Sequence, residues 1–288
     1  MSKPARQRLP VPLFFIAGAL SQYFGAALAV HLFSRLQPET VAWLRVAFSA
    51  AFLLAWRRPF GERLPRPRKR GIVSFGVSLA AMNLCFYLAV ARLPLGTAVA
   101  IEFAGPIAVA TFGLRSARNV ATLGLAAIGI LALADVRWAT SGTGVLFALS
   151  AAALWAAYIL LGARLARQNA PTAAERLDAL AWALVVGALA ITPVGLIGLR
   201  GSNPTWPLVA GCAAVGVLSN VIPYALDQLV LPSLAPAQFA LLLSLLPATA
   251  SVVGAVVLGQ IPTLVETLGT GAIVAAMLLR RERTIGPD

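Results

Sequence analysis

Apolar residues along this chain gather into solid blocks of 16–24 residues, parted by short polar joints. A helix on a soluble core carries its apolar residues on one stripe, whereas these blocks are apolar all round, as membrane-embedded helices are. About 17–25 such residues cross a bilayer core. The blocks fall at 12–33, 40–56, 71–91, 95–114, 119–134, 143–163, 179–199, 206–229, 237–258 and 264–279. Each predicts a helix, ten in all, so the expected fold class is an all-α integral membrane protein. The longest polar joint, 57–70, has 14 residues and leaves no room for a soluble domain.

Composition agrees with that reading. Of 288 residues 59% are hydrophobic and 11% charged, with mean hydropathy +0.85; a soluble domain carries about 25% charged residues. The net charge of +13 is not spread over one soluble face, as nucleic-acid binding would need, but sits in the joints. Eighteen of the 23 Lys and Arg fall on one side: Lys3, Arg6 and Arg8, the joints 57–70, 115–118 and 164–176, and the tail from Arg280. Four, Arg35, Arg92, Arg137 and Arg200, fall on the other, and Arg45 lies inside a helix. Cytoplasmic joints hold the basic excess, so both termini are expected in the cytoplasm. The basic tail, the apolar stretch and Ala27-Leu28-Ala29 also resemble a cleavable signal. The stretch 13–33 has spanning length, however, and is read as a retained helix.

At an offset of 141 residues Leu88, Leu93, Pro106 and Gly113 match Leu229, Leu234, Pro247 and Gly254. In both places a spanning helix, a very short turn and a proline-broken helix follow one another. Five spans per half, an odd number, set the halves in opposite orientations. The expectation is therefore two inverted five-helix repeats, 1–140 and 141–288. Matching proline-interrupted helices in two inverted halves point to a transporter's binding site.

The stretch GTAVAIEFAGPIA, 96–108, holds one charge, Glu102, with Gly105-Pro106 just beyond. Pro106 offers no N–H to the carbonyl of residue 102, and Pro247 withholds the partner of the Leu243 carbonyl. An unpaired carbonyl at membrane depth is tolerated only against protein or a water-filled cavity. Beside it stands a carboxyl whose ionised form costs about 2.5–3.5 kcal/mol at mid-helix on insertion scales. A carboxyl kept from water is suited to exchanging protons near neutral pH, which makes Glu102 the candidate proton-coupling group. The alternative is a neutral acid bonded to a neighbouring helix as packing glue. Arg45, in WLRVAFSAAF, either pairs with a carboxylate such as Glu102, binds a substrate carboxylate, or snorkels to the interface.

Asn220, Tyr224 and Asp227 are spaced i, i+4, i+7 and share a helical face; Asn83 and Tyr87 form a similar i, i+4 pair. Asn83 matches Tyr224 at the 141 offset. Such stripes suit a cavity that orients a small zwitterion; equally, they join helices at about 0.6–2 kcal/mol per contact. Asp227, near the cytoplasmic end of its helix, reads as a site residue or as a solvated cap. Gln22, Tyr23, Trp155 and Tyr158 are further cavity candidates. His31 reads as interfacial rather than as a proton relay, Trp206 as an interface anchor, and Glu266 as a surface acid. Cys85 and Cys212 lie in apolar runs and read as small hydrophobes, not a disulfide. With one His they make no soft-ligand metal site, and no cofactor is called for. No phosphate loop, dinucleotide fingerprint or HExxH occurs. A triad would need His31 as base, with no nucleophile arranged around it, so an enzyme is not expected.

The segment MNLCFYLAVARLPLGTAVAIEFAGPIAVA, 82–110, resembles the threonine/homoserine exporter branch of the EamA-like drug/metabolite transporter superfamily. Its most specific part is PLGTAVAIEF-GP. The segment VLSNVIPYALDQLVLPSLAPAQFALLLSLLPATASVVGAVVLGQ, 217–260, is more loosely similar to the family's second half. Elsewhere the likeness is one of hydropathy and helix count. It implies a bacterial inner-membrane exporter of small amino acids, built of ten helices in two inverted repeats and driven by proton exchange. The chain departs from the family where Ser-Leu-Glu-Pro-Ala is usual, since Leu246 replaces the acid. Gln260 replaces a Glu that commonly closes LGE, and Asp227 replaces a Glu after PYSL, while Glu102 is kept.

The reading is a secondary transporter whose solute binds near Glu102, Arg45, Asn83, Tyr87, Asn220, Tyr224 and Asp227, hinged at Gly105, Pro106 and Pro247. Its expected partners are a small amino-acid-like solute, protons and the lipid bilayer, with a homodimer as a possible assembly. Drug efflux, uptake of another solute and a non-transporting scaffold are the alternatives.

Overall fold

A computed structural model of the chain describes residues 11–60, 66–111, 117–167, 172–200, 202–230 and 236–279, and within them every regular element is helical. In order these are α1 (Val11–Leu32), α2 (Pro38–Arg57), α3 (Arg66–Val90), α4 (Leu95–Glu102), α5 (Ala104–Thr111), α6 (Ala117–Arg167) and α7 (Ala173–Gly198). There follow α8 (Trp206–Gly216), a π-helical turn over Val217–Val221, α9 (Ile222–Val230), α10 (Pro236–Leu258) and α11 (Leu264–Leu279). Seven stretches are long and apolar enough to cross a membrane. Three shorter apolar ones, Leu95–Val109, Leu242–Leu258 and Leu264–Leu279, stand at the remaining expected spans. Leu131, Leu189, Val256 and Trp206 cover the outside with apolar surface, which suits lipid and not water. The chain is a multi-pass membrane protein.

The breaks between helices follow from particular residues. The expected joint at 135–142 is helical apart from Ser141, whose φ of −158° and ψ of 63° divide the 51-residue α6 into two arms. No proline lies in that joint, so the chain turns at one residue instead of unwinding. α4 ends at Glu102 and α5 restarts at Ala104 because Pro106 returns no N–H to the Glu102 carbonyl. Gly105 lets α5 rest its backbone on the Ala152 carbonyl, where a Cβ would collide.

Pro247 corrects the expectation of a matching break. α10 runs through it uninterrupted, losing only the bond to the Leu243 carbonyl. The position equivalent to Gly105 is Leu246, whose side chain prevents the close approach that bends the first-half segment. The second half breaks instead at Pro223. That residue denies an N–H to the Ser219 carbonyl, and the helix dilates into the π-helical turn just before it.

Small residues let the helices cross closely. Gly76 of α3 lies against the Ala183 carbonyl of α7, Gly187 lies against the Gly76 carbonyl, and Gly129 of α6 against the Gly269 carbonyl of α11. Without a hydrophobic force between helices in lipid, such backbone approach is what holds them. The bundle has two ends. At the near end, where α1 starts, Arg57 pairs with Asp178 at 2.9 Å and Trp182 donates to the Pro59 carbonyl. Thr172 and Glu175 cap α7 reciprocally there. At the far end Thr40 donates to the Gly195 carbonyl, and the Leu95 N–H bonds the side chain of Gln260.

Candidate functional site

α2 enters the bundle at Pro38 and carries Arg45 inward two turns later, where it is 5% exposed. Its guanidinium donates to Asn83 Oδ1 on α3, to Asn220 Oδ1 at 2.6 Å and to the Ser219 carbonyl at 3.1 Å. The Ser219 carbonyl is the one that Pro223 leaves without a helical partner. A buried carbonyl left unpaired costs about 1–3 kcal/mol, and Arg45 fills that vacancy. The guanidinium also lies 5.0 Å from the centre of the Tyr87 ring, within cation–π range. One turn on, the Ser49 hydroxyl lies 2.7 Å from the Arg45 carbonyl and 3.1 Å from that of Gly216, and it accepts from Asn220 Nδ2 at 3.0 Å. Ser21 of α1 donates to the Leu218 carbonyl at 2.8 Å. Side chains of α1 and α2 thus satisfy the backbone that the π-helical turn opens.

The charge of Arg45 is met by neutral oxygens. The ion pairs among the described residues are Arg57–Asp178 and Arg137–Glu266, and Arg45 belongs to neither.

Beside this knot opens a cavity of about 450 Å³. Arg45 and Glu102 are the charged residues of its lining. Glu102 is 8% exposed and reaches the cavity from the last residue of α4, directly before the Phe103 break. Asn83, Tyr87, Tyr224 and Pro106 line the same space, as do Gln22, Tyr23, Trp155 and Tyr158. Leu246 lines it too, so a leucine stands where the family pattern has a second acid. The wall is aromatic: Trp155 meets Phe103 edge-on at 4.8 Å, and Tyr158 stacks on Phe75 at 4.6 Å. The lining takes Phe15 and Gly18 of α1, Val109 of α5 and Leu243 of α10 from the near halves of their helices, and Arg45 of α2 and Asn83 and Tyr87 of α3 from the far halves of theirs. Chemically the cavity offers one carboxyl, one cation and ring faces, a set suited to an ion with separated charges and an apolar part.

Other candidates sit elsewhere. Asn220 does not line the cavity: it is fully buried, with Arg45 on its oxygen and Ser49 on its nitrogen. Gly105 is spent on the contact with Ala152. Asp227 falls within α9, but its side chain lies outside the described residues. His31 is exposed near the end of α1, its Nδ1 2.9 Å from the Ala27 carbonyl, and Trp206 is exposed. Cys85 and Cys212 are free thiols.

Glu266 is the correction of most consequence. It is 1% exposed rather than a surface acid. Its Oε1 accepts from Thr97 at 2.8 Å and from Arg137 Nε and Nη2 at 2.9 and 2.8 Å, and its Oε2 from the Thr263 N–H and hydroxyl at 3.0 Å each. The signal was present: Thr263-Leu-Val-Glu266 has the spacing of a capping box, which starts α11. Ser219 and Pro223 were likewise legible in VLSNVIPYA, where a proline four residues after a serine frees the serine carbonyl.

Residues 142–280 match the model of the EamA-like transporter family. The chain is 34% identical over 273 residues to the threonine/homoserine exporter RhtA of Escherichia coli (strain K12), covering 94% of this chain and 90% of that protein. It is 34% identical over 285 residues to the protein of the same name from Salmonella typhimurium (strain SL1344), covering 96% and 94%. A solved crystal structure, 18% identical, superposes on 93% of this chain and 95% of its own with a TM-score of 0.59, a likeness of fold.

Proposed function

The chain belongs to the EamA-like transporter family, in its threonine/homoserine exporter branch, and we propose that it exports small amino acids of that kind in exchange for protons. The observation that carries the proposal is Glu102. A buried carboxyl faces a cavity that also holds Arg45 and is otherwise neutral. Intramembrane acids of that placement mark ion or substrate paths.

In this reading the protein lies in the bacterial inner membrane with both termini in the cytoplasm, its ten spans forming two inverted repeats, 1–140 and 141–288. The family match over 142–280 supports the second of these units. The solute's ammonium sits against Glu102 and its carboxylate towards Arg45, with Asn83, Tyr87 and Tyr224 setting the shape between them, Asn220 holding Arg45 from behind the wall, and Asp227 at the cytoplasmic approach. Rocking one repeat against the other then turns the cavity outward. Outside, Glu102 gives up the solute and takes a proton, and the neutral acid favours the return. Arg45 positions the cavity wall through Asn83 and the Ser219 carbonyl, so its charge is available without an ion-pair partner beside it.

The aromatic wall favours a second reading, efflux of lipophilic cations or drugs, in which Trp155 and Tyr158 do the binding. Proteoliposomes separate the two. Labelled threonine and homoserine should leave faster under an imposed pH gradient, and excess homoserine should compete. Gradient-independent movement of both, together with competition by lipophilic cations alone, would favour the drug reading.

A further inference from the structure

α4 has no cap of its own. Its N-cap is Pro94, which supplies no side-chain bond to the first turn, where helices leave N–H groups needing partners. The partners come from the far side of the sequence. Gln260, in the turn between α10 and α11, sets its Oε1 2.8 Å from the Leu95 N–H and anchors its own N–H on the Gly254 carbonyl at 3.0 Å. Gly259, at φ +66°, makes the tight exit from α10 that places it there. Two residues along, the Thr97 hydroxyl donates to Glu266 Oε1 at 2.8 Å. Between them Gly96 lies against Ser251 of α10, with no space for a Cβ.

The two sides of this contact differ in how firmly each is held. Glu266 keeps Arg137 and Thr263 as partners whether or not Thr97 is present. It is an anchor that survives the loss of one bond. α4, in contrast, is a rod of eight residues between Pro94 and the break at Phe103. Glu102 ends that rod seven residues, or roughly 10 Å, from Leu95. A tilt of α4 produced at Glu102 is therefore delivered to Leu95 and Thr97. These residues also seal the far end: Leu95, Ala98 and Val99 are fully buried in one cluster with Val253, Ile273 and Met277.

We propose that Gln260 and Glu266 form a latch on the first turn of α4, and that the cavity opens towards the far end only when Leu95 and Thr97 leave it. The proposal rests on the alternating-access reading above and assigns Gln260 a gating role. Both are positioning residues, since neither lines the cavity.

The test uses the full chain with Cys85→Ala and Cys212→Ala, and a reporter thiol introduced by Ala98→Cys at a fully buried site. A membrane-impermeant maleimide is added from the side opposite the termini. Thr97→Val with Gln260→Ala removes both latch bonds and leaves the Glu266–Arg137 pair intact. Labelling should rise about tenfold or more, the shift expected when two hydrogen bonds that favour one state are lost. Arg57→Met, which cuts the near-end pair, should leave labelling where it was. Unchanged labelling in Thr97→Val/Gln260→Ala protein that keeps its melting temperature overturns the latch.

A second arm ties the latch shut instead of cutting it. Thr97→Cys and Thr263→Cys, joined by a reducible bis-thiosulfonate linker, should stop transport of labelled threonine, and reductant should restore it. Undiminished transport after complete linking also overturns the latch. If wild-type protein moves no threonine, the substrate reading fails, and the labelling arm still decides the latch.

Discussion

Replacing Arg45 by methionine leaves three buried oxygens without their donor: Asn83 Oδ1, Asn220 Oδ1 and the Ser219 carbonyl. Hydrogen bonds from a charged donor are worth about 1.5–3 kcal/mol each, so the gross loss is roughly 5–9 kcal/mol. Taking the guanidinium out also recovers several kcal/mol of desolvation, which leaves a net destabilisation of about 2–4 kcal/mol. The Ser219 carbonyl is the acceptor that cannot turn away, because Pro223 fixes its lack of a helical N–H. Pro223→Ala restores that N–H. In the Pro223→Ala background Arg45→Met should therefore cost about 1–2 kcal/mol less than in the wild type. The assay is reversible unfolding in mixed micelles of the four proteins of the cycle, all without solute. Additivity within about 0.5 kcal/mol would refute the claim that Arg45 serves the carbonyl Pro223 exposes. So would an Arg45→Met protein as stable as the wild type.

The two ion pairs should differ in worth. Arg137→Met strands a carboxylate that is 1% exposed but keeps its Thr97 and Thr263 donors, a cost of about 1–3 kcal/mol that salt barely changes. Arg57→Met breaks a pair whose side chains are 27% and 31% exposed, so it should cost under about 1 kcal/mol and less in high salt, both read by unfolding in the same micelles. Gly105→Ala drives a Cβ onto the Ala152 carbonyl and should destabilise by about 1–3 kcal/mol. Gly124→Ala, which meets open space, should not lower the melting temperature.

The sequence made the spans legible because lipid leaves no choice: a backbone at membrane depth must be helical, so apolar blocks of spanning length translate directly into helices. The gathering of Glu102, Asn83, Tyr87 and Tyr224 could be read from their i, i+4 spacing and from proline placement. What escaped was the partner of each polar group. By sequence an acid is one expected partner of Arg45, yet it meets two amides and a carbonyl, because the π-helical turn at Pro223 creates an acceptor that periodicity does not display. Asn220 looked like a cavity residue by helical face, but a bulge of one residue turns that face towards α2. Pro247 looked equivalent to Pro106, and the difference lay one residue earlier, in Leu246 against Gly105. Glu266 appeared shallow because its depth depends on Thr97 and Arg137, which are 169 and 129 residues away.

In the proposed cycle Glu102 ties proton movement to solute movement. The most direct test is efflux of labelled threonine and homoserine from proteoliposomes holding wild type or Glu102→Gln, each with and without an imposed pH gradient. The gradient should accelerate wild-type efflux and leave Glu102→Gln unmoved, while the variant still exchanges solute at equal pH. Gradient-driven efflux by Glu102→Gln at the wild-type rate would rule out Glu102 as the coupling group.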